Sequence, residues 1–342
     1  MALSVAAATA VFATVRLLRA SLVPSDLDQL WYAAKALLHG ADPYQAVGPG
    51  RAFDWPWPLF YPLPAVLLAV PFTVFPIAIA RFLFAVLSAG ALGFAMGARW
   101  RVMWPLFLSM SYLLAISRNQ WSPLLLAAAW LPQLGFVVAA KPNVGLMAVS
   151  AQTPRNVIRM LVLAGALAAL SFLVRPSWFA EWYAIVRSLP NQKIALLQPA
   201  GFLLLAAFLA WRRAEGRVLL AASLVPQTPA LYDALPLFAI CRTTREALIV
   251  AALTHLLQWT LTAFGPFATF DAAYVRYAQL NVVLLLLPLL LMVLLPLSPR
   301  RGTLPDATRG QPREPKPSAL DLTLTAAITV SLGIHLWLLF HP

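Results

Sequence analysis

Long apolar runs separated by short polar stretches set the pattern of this chain. A helix that crosses a membrane needs about 20 predominantly apolar residues. Runs of roughly that length fall at 2–24, 59–76, 78–97, 101–117, 157–174, 195–211, 247–264, 278–297 and 321–340. Two further regions are long enough but interrupted, 121–153 by "LPQ" (131–133) and "KPN" (141–143), and 217–241 by "VPQTPALYD" (225–233). Backbone broken at membrane depth persists only where it is buried in protein or lines a wet cavity. Between the first two runs the period changes. Leu27, Leu30, Trp31, Ala34, Leu37 and Leu38 recur at helical spacing, with Asp28, Lys35 and His39 on other faces, until Gly40 stops the pattern and "ADPY" turns the chain. An amphipathic helix this short lies in the interface rather than across it. A second interfacial helix is expected in 175–193, where Trp178, Trp182 and Ile185 form one stripe and Phe179, Tyr183 and Val186 the next. Those rings read as a belt at headgroup height or, alternatively, as a platform for a sugar or prenyl chain.

Composition strengthens this picture. Of 342 residues, 61% are apolar and only 11% charged, and the mean hydropathy is +0.78, against about 25% charged in a soluble domain. Too little polar surface remains to cover a water-facing globule. The chain therefore reads as an all-α, polytopic protein of the cell membrane with about 10–13 spanning or re-entrant helices. Its 29 prolines would break a soluble bundle, whereas membrane helices tolerate proline where neighbours re-satisfy the freed carbonyls. The net charge of +13 does not imply nucleic acid, because the Lys and Arg sit in short loops between apolar runs and serve orientation in the bilayer. One cysteine, Cys241, excludes an internal disulfide and a Cys-based zinc site. His39, His255, His335 and His341 are too dispersed along the chain to suggest a metal centre.

Orientation follows from the basic segments 99–101, 155–159, 212–217, 242–245 and 300–316, which belong on the cytoplasmic side. The segments 118–120, 175–193, 227–233 and 265–277 then alternate to the other side, provided both interrupted regions cross as pairs of short helices. With 25–58 outside, two full crossings between 59 and 98 would misplace "RWR" (99–101); either 59–76 is re-entrant or the first run does not cross. Residues 1–297 read as one membrane domain, 298–320 as a Pro/Arg-rich cytoplasmic linker, and 321–342 as a C-terminal membrane helix.

Two acids stand out at the head of the interfacial helix, Asp26 and Asp28 in "SDLDQL" (25–30). Ser25 or Asp26 suits the helix N-cap, and an acid suits the positive end of the dipole. Capping does not call for both acids, and Asp28 is not needed for it. The alternative is a carboxylate facing a cavity at the membrane surface, which serves as a general base. The D-x-D spacing also admits a divalent cation, although residues i and i+2 diverge on a helix.

The stretch "SDLDQLWYAAKALLHGADPY" (25–44), followed by "FYPLPAVLLAVPFTVFP" (60–76), resembles the start of the family 87 glycosyltransferases, multi-pass enzymes of the GT-C type that include polyprenyl-phosphate-mannose-dependent mannosyltransferases. "NQWSPLLLAA" (119–128) is similar to the family's Gly-Gln-x-x-x-Leu-Leu stretch, with Asn119 in place of Gly. "GFVVAAKPNVGL" (135–146) resembles its Lys-Pro helix end, and "TPALYDALPL" (228–237) its Pro-x-x-Tyr-Asp element. Tyr61 opens a Tyr-Pro-Pro element whose second proline is displaced by one. The likeness covers about residues 1–280.

The resemblance implies a GT-C fold with a catalytic acid in the first outer loop, at Asp26, with Asp28 as its neighbour. It implies a polyprenyl-phosphate sugar donor, a hexose or pentose such as mannose, and a lipid or cell-envelope glycan as acceptor, with membrane lipids as the other partner. No cofactor is required beyond the divalent cation already raised. Cations suited to the departing phosphate are Arg16, Arg19, Arg118 and Lys141, with Arg175 and Lys193 flanking the second outer loop. Arg16 and Arg19 equally suit snorkelling to the interface. Gln120, Asn143, Tyr232, Asp233, Tyr44 and Tyr61 complete the candidate substrate site; an acid at membrane depth such as Asp233 is a functional candidate or the partner of a nearby cation. Broken helices and buried charges also mark carriers, so a lipid or sugar transporter or flippase remains the competing class, and an inactive family member a third.

Overall fold

The structure is a computed structural model and describes residues 4–5, 7–12, 25–188, 193–226, 230–295 and 317–340. Most of the first apolar run, with Arg16 and Arg19, and most of the 298–320 linker lie outside the described residues. Among the described residues helix accounts for 79% and strand for almost none, and five helices are long and apolar enough to cross a membrane: Ile77–Leu108, Pro154–Val174, Thr244–Phe264, Asp271–Leu294 and Ala319–Leu338. The protein is an all-α, membrane-embedded chain. From residue 25 on, the α-helices of more than one turn among the described residues are α1 (Asp26–Leu38), α2 (Leu63–Ala69), α3 (Ile77–Met96), α4 (Met110–Ser117), α5 (Ser122–Ala128), α6 (Pro142–Ser150), α7 (Pro154–Val174), α8 (Trp178–Arg187), α9 (Ala214–Leu224), α10 (Thr244–Phe264), α11 (Phe270–Asn281), α12 (Leu287–Leu294) and α13 (Ala319–Phe340). The only strands among the described residues are Val47–Gly48 and Phe53–Asp54, a two-residue parallel pair that closes the loop after α1.

Several expected crossings take other forms. The 59–76 run contains seven α-helical residues followed by five tightly wound ones. That is about 20 Å of rise against a hydrocarbon layer of about 30 Å, the length of a re-entrant element. The 101–117 run is not one helix: a tight turn around Pro105 separates Trp100–Met103 from α4. Region 121–153 folds as three short pieces rather than a pair, α5, the tightly wound Pro132–Ala140 and α6. Region 217–241 does fold as two, α9 and the tightly wound Leu231–Ile240.

Polar residues gather at two opposite ends of this bundle. At one end α1 meets the start of α3 through Arg81, and Asp233 opens the Leu231–Ile240 segment. At the other end lie Arg99 and Arg101 beyond α3, the ion pair of Arg242 with Glu215, and the Arg245–Asp321 pair that ties α10 to α13. Arg217 reaches the backbone carbonyls of Ser150 and Gln152 there, and Arg213 that of Val293. The arginines of this end come from three of the basic segments, 99–101, 212–217 and 242–245, whose positive charge suits the cytoplasmic side. The start and end of α3 carry these two polar ends, with Arg81 at one and Arg99 and Arg101 beyond the other.

Between the two ends the packing is close enough to need glycine. A Cβ at Gly135, in the Pro132–Ala140 segment, would meet the Met160 Cα of α7 at 2.5 Å. No rotamer change relieves a clash with backbone. Gly135→Ala is expected to destabilise the protein by about 1–3 kcal/mol through overpacking, read as a lowered unfolding temperature in detergent, whereas Gly165→Ala, where a Cβ meets nothing within 4 Å, leaves it unchanged.

Candidate active site

The site is built where two chain turns dock. Helix α1 begins with a capping box. Ser25 caps the Leu27 amide through Oγ at 3.3 Å, and Asp28 accepts the Ser25 N–H at 2.8 Å. Asp28 therefore does take part in capping, contrary to the expectation that the cap spares it, and Asp26 is left with its side chain uncommitted to the helix. The turn between α4 and α5 packs on this N-terminus. Asn119 adopts a left-handed backbone with φ of 52°, a conformation that Asn tolerates better than most residues. Its Oδ1 accepts from Ser25 Oγ at 2.8 Å, its Nδ2 donates to the Arg81 carbonyl at 2.7 Å, and the Arg118 carbonyl accepts the Asp26 N–H at 3.1 Å. Arg81 in turn grips Asp28 with two bonds of 2.7 and 2.5 Å.

This docking carries Gln120 and Arg118 to Asp26. Gln120 Nε2 donates to Asp26 Oδ2, and Tyr232 OH donates to the same oxygen at 3.3 Å. Gln120 Oε1 accepts from Tyr61 OH at 3.3 Å and from Lys141 Nζ at 3.2 Å. Lys141 Nζ sits 2.6 Å from Asp233 Oδ1 and 4.9 Å from the centre of the Tyr232 ring. Ser122 Oγ donates to the same Asp233 oxygen at 3.2 Å. A continuous hydrogen-bonded path thus joins Asp26 to Asp233 through Gln120 and Lys141. Burial raises the Asp26 carboxyl above the ordinary carboxylate value, and the Lys141 and Arg118 charges pull it back down. Burial also raises Tyr61 well above its usual value, so its hydroxyl stays protonated and available as a donor.

Of the predicted residues, the fold gathers Asp26, Tyr61, Arg118, Gln120, Lys141, Tyr232 and Asp233 around one carboxyl group, from five different stretches of chain. Others lie elsewhere. Asn143 donates to the Pro226 carbonyl at 3.4 Å. Tyr44 is buried beside a separate outer cluster in which Arg175 bridges Asp42 and Glu181 at 2.7 Å each. That pairing depresses Glu181 below its usual value and fixes α8, whose Trp182 also donates to the Phe60 carbonyl at 2.8 Å. Asp28 is held by Arg81 and by the cap. Arg81 and Ser122 escaped the sequence reading, as did Tyr274, whose phenol lies within reach of the Asp26 charge. Arg81 was readable as a cation near the outer end of a spanning helix, while serine and tyrosine carried no signal of their own.

The donor set does not suit a metal ion. Both Asp28 oxygens are engaged by the Arg81 guanidinium, so Asp26 and Asp28 do not converge on one point. No group of three His, Cys, Asp or Glu that could hold a metal occurs among the described residues. His255 and His335, remote in sequence, do approach to 6.0 Å between rings, but Ser331 and the Leu108 carbonyl occupy the ring nitrogens of His255.

No family model matches the chain, and no curated protein or solved structure is significantly similar to it.

The Asp28–Arg81 pair supports the site without facing it. Asp28 is buried and the Arg81 side chain is 25% exposed, so removing the acid leaves a partly shielded cation unpaired. Asp28→Asn is expected to cost about 2–3 kcal/mol, toward the lower limit for breaking a buried pair. Adding Arg81→Leu should recover part of that loss in a double-mutant cycle of thermal unfolding.

Proposed function

We propose that this protein is an integral-membrane glycosyltransferase of the GT-C type, which moves a sugar such as mannose from a polyprenyl phosphate to a hydroxyl of a lipid or envelope-glycan acceptor on the extracytoplasmic side. The observation that carries the reading is the setting of Asp26: a half-buried carboxyl group at the end opposite the basic loops, free of its own helix cap, with Lys141 and Arg118 close enough to feel its charge.

In this mechanism the acceptor O–H gives its proton to Asp26 as the oxygen attacks the sugar's anomeric carbon. The bond from that carbon to the phosphate oxygen breaks, and the electron pair leaves with the polyprenyl phosphate. Attack opposite the leaving group inverts the anomeric centre. The developing phosphate charge falls beside Lys141 and Arg118, in surroundings where fixed cations act more strongly than in water. Gln120 and Tyr232 hold the base through Oδ2 and leave Oδ1 for the acceptor. Tyr61 and Asp233 act at one remove, by fixing Gln120 and Lys141.

A second reading, a lipid or sugar carrier, draws on the same acid–lysine–acid path buried among interrupted helices, since paired charges at membrane depth also serve transport. The products separate the two. A transferase given radiolabelled polyprenyl-phosphate sugars releases free polyprenyl phosphate and labelled acceptor, and a carrier returns the donor intact.

Asp26→Asn is expected to lower kcat by about 10²–10⁴-fold, the range for loss of a positioned base, with donor binding retained; turnover within tenfold of wild type would sink the proposal. Because the folded carboxyl titrates above the ordinary range, the acid limb of kcat/KM should fall at a higher pH than an exposed aspartate gives. The same direction sets stability. A raised carboxyl contributes stability that is complete below its unfolded value and lost as pH rises through its folded value. At pH 7 the Asn variant should therefore unfold no lower than wild type, which distinguishes lost chemistry from lost structure.

A further inference from the structure

Helix α7 carries two arginines on a surface that faces lipid, at the end of the bundle where the basic segments gather. Of its 21 residues only Met160 and Ser171 are buried, and it is long and apolar enough to cross the membrane. Arg155 stands in its first turn and Arg159 one turn later, on the same face. Both are exposed, and Ile158 and Val162, each 64% exposed, continue the same stripe.

A second basic segment is fixed beside them. Arg217 donates to the Ser150 carbonyl at 3.0 Å, to the Gln152 carbonyl at 3.2 Å and to the Arg212 carbonyl at 3.1 Å. Residues 150–152 and 212 are thus held together by one guanidinium group, which brings Arg212 to the start of α7. The Arg212 guanidinium lies 6.0 Å from the ring of Trp211, which is 55% exposed. An exposed tryptophan at the end of an apolar segment suits headgroup depth. Charge at this end is unevenly matched. Arg242 pairs with Glu215 and Arg245 with Asp321, while Glu246 accepts the Arg242 and Thr243 amides. Arg155, Arg159 and Arg212 have no carboxylate partner among the described residues.

We infer that Arg155, Arg159 and Arg212 form a site for an anionic phospholipid of the cytoplasmic leaflet, with its phosphate among the three guanidinium groups and a tail along Ile158 and Val162. Guanidinium forks match phosphate oxygens in pairs, and basic groups at the cytoplasmic membrane surface attract anionic lipid. The apolar stripe favours a lipid over a soluble anion, which has no chain to lay against it. Orientation in the bilayer calls for positive charge in these loops, but not for arginines of two segments clamped together beside an apolar stripe. The site is independent of the transferase reading.

The test is lipid binding to the full chain in neutral detergent, followed by native mass spectrometry. Phosphatidylglycerol and phosphatidylcholine with the same tails are titrated separately. Wild type should bind phosphatidylglycerol about 100-fold more tightly, about fivefold for each arginine. Arg155→Gln with Arg212→Gln should weaken phosphatidylglycerol about 20–30-fold on the same scale. Arg99→Gln with Arg101→Gln removes equal charge from the same end and should leave that binding within about twofold of wild type, because charges beyond a Debye length are screened. Unfolding temperatures confirm that each variant is folded; if the first double variant is not, Arg159→Gln alone decides, with about fivefold weakening expected. Equal affinity for the two lipids, or equal weakening by the two double variants, overturns the inference. So does displacement of the lipid by inorganic phosphate, which would make this a site for any phosphate anion.

Discussion

Asn119, in its left-handed turn, joins three parts of the chain, two of which the Asp28–Arg81 pair also ties together. Its amide bonds Ser25 at the start of α1 and the Arg81 carbonyl of α3, while the neighbouring Arg118 carbonyl takes the Asp26 amide. At the start of a helix the first amides lack intrahelical partners, and here the Ser25–Asp28 cap and the 118–120 turn satisfy them together. The position of Asp26 relative to Gln120 depends on these bonds. The Asp28–Arg81 pair and the Trp31 Nε1–H, which donates to the Phe72 and Phe75 carbonyls, fix the rest of the helix against the same neighbours.

The electrostatics follow from that docking. Asp26 and Asp233 are two acids joined by a single lysine and two amide and hydroxyl donors, with Arg118 as the second cation in range. In a poorly solvated setting such a group is stable only if each charge has a partner. Lys141 meets this condition by bonding Asp233 and Gln120 at once. The arrangement also explains why the backbone is interrupted at this level. "KPN" (141–143) and "ALYD" (230–233) interrupt continuous helix where Lys141 and Asp233 meet, and the Leu231–Ile240 segment is packed against α4, α5, α6 and α9.

The helix over Asp26–Leu38 and its stop at Gly40 were legible because both rest on local rules: helical spacing and a glycine with φ of 74°. The 59–76 run read as a span or a re-entrant segment, and only the structure shows that it holds seven α-helical and five tightly wound residues. The breaks at "LPQ" and "KPN" were legible too, since proline interrupts a helix wherever it falls. That they divide 121–153 into three pieces was not, because the length of each piece is set by what it packs against, as Gly135 against Met160 shows. The capping role of Asp28 was misread: its oxygens are shared between a local amide and Arg81, and only the first of these lies nearby in sequence.

The sequence by itself determined that the chain lives in a membrane, which ends of its helices carry positive charge, and that a few acids, a lysine and a glutamine sit where charge is costly. Those are properties of composition and short spacing, and they survive any arrangement of the helices. Only the tertiary structure decided which of these groups meet. It joined Gln120 to Asp26 and Lys141 to Asp233, and sent Asn143 and Tyr44 elsewhere. Hydrogen bonds act over about 3 Å, and residues a hundred or two hundred positions apart come within that distance only once the whole bundle has packed.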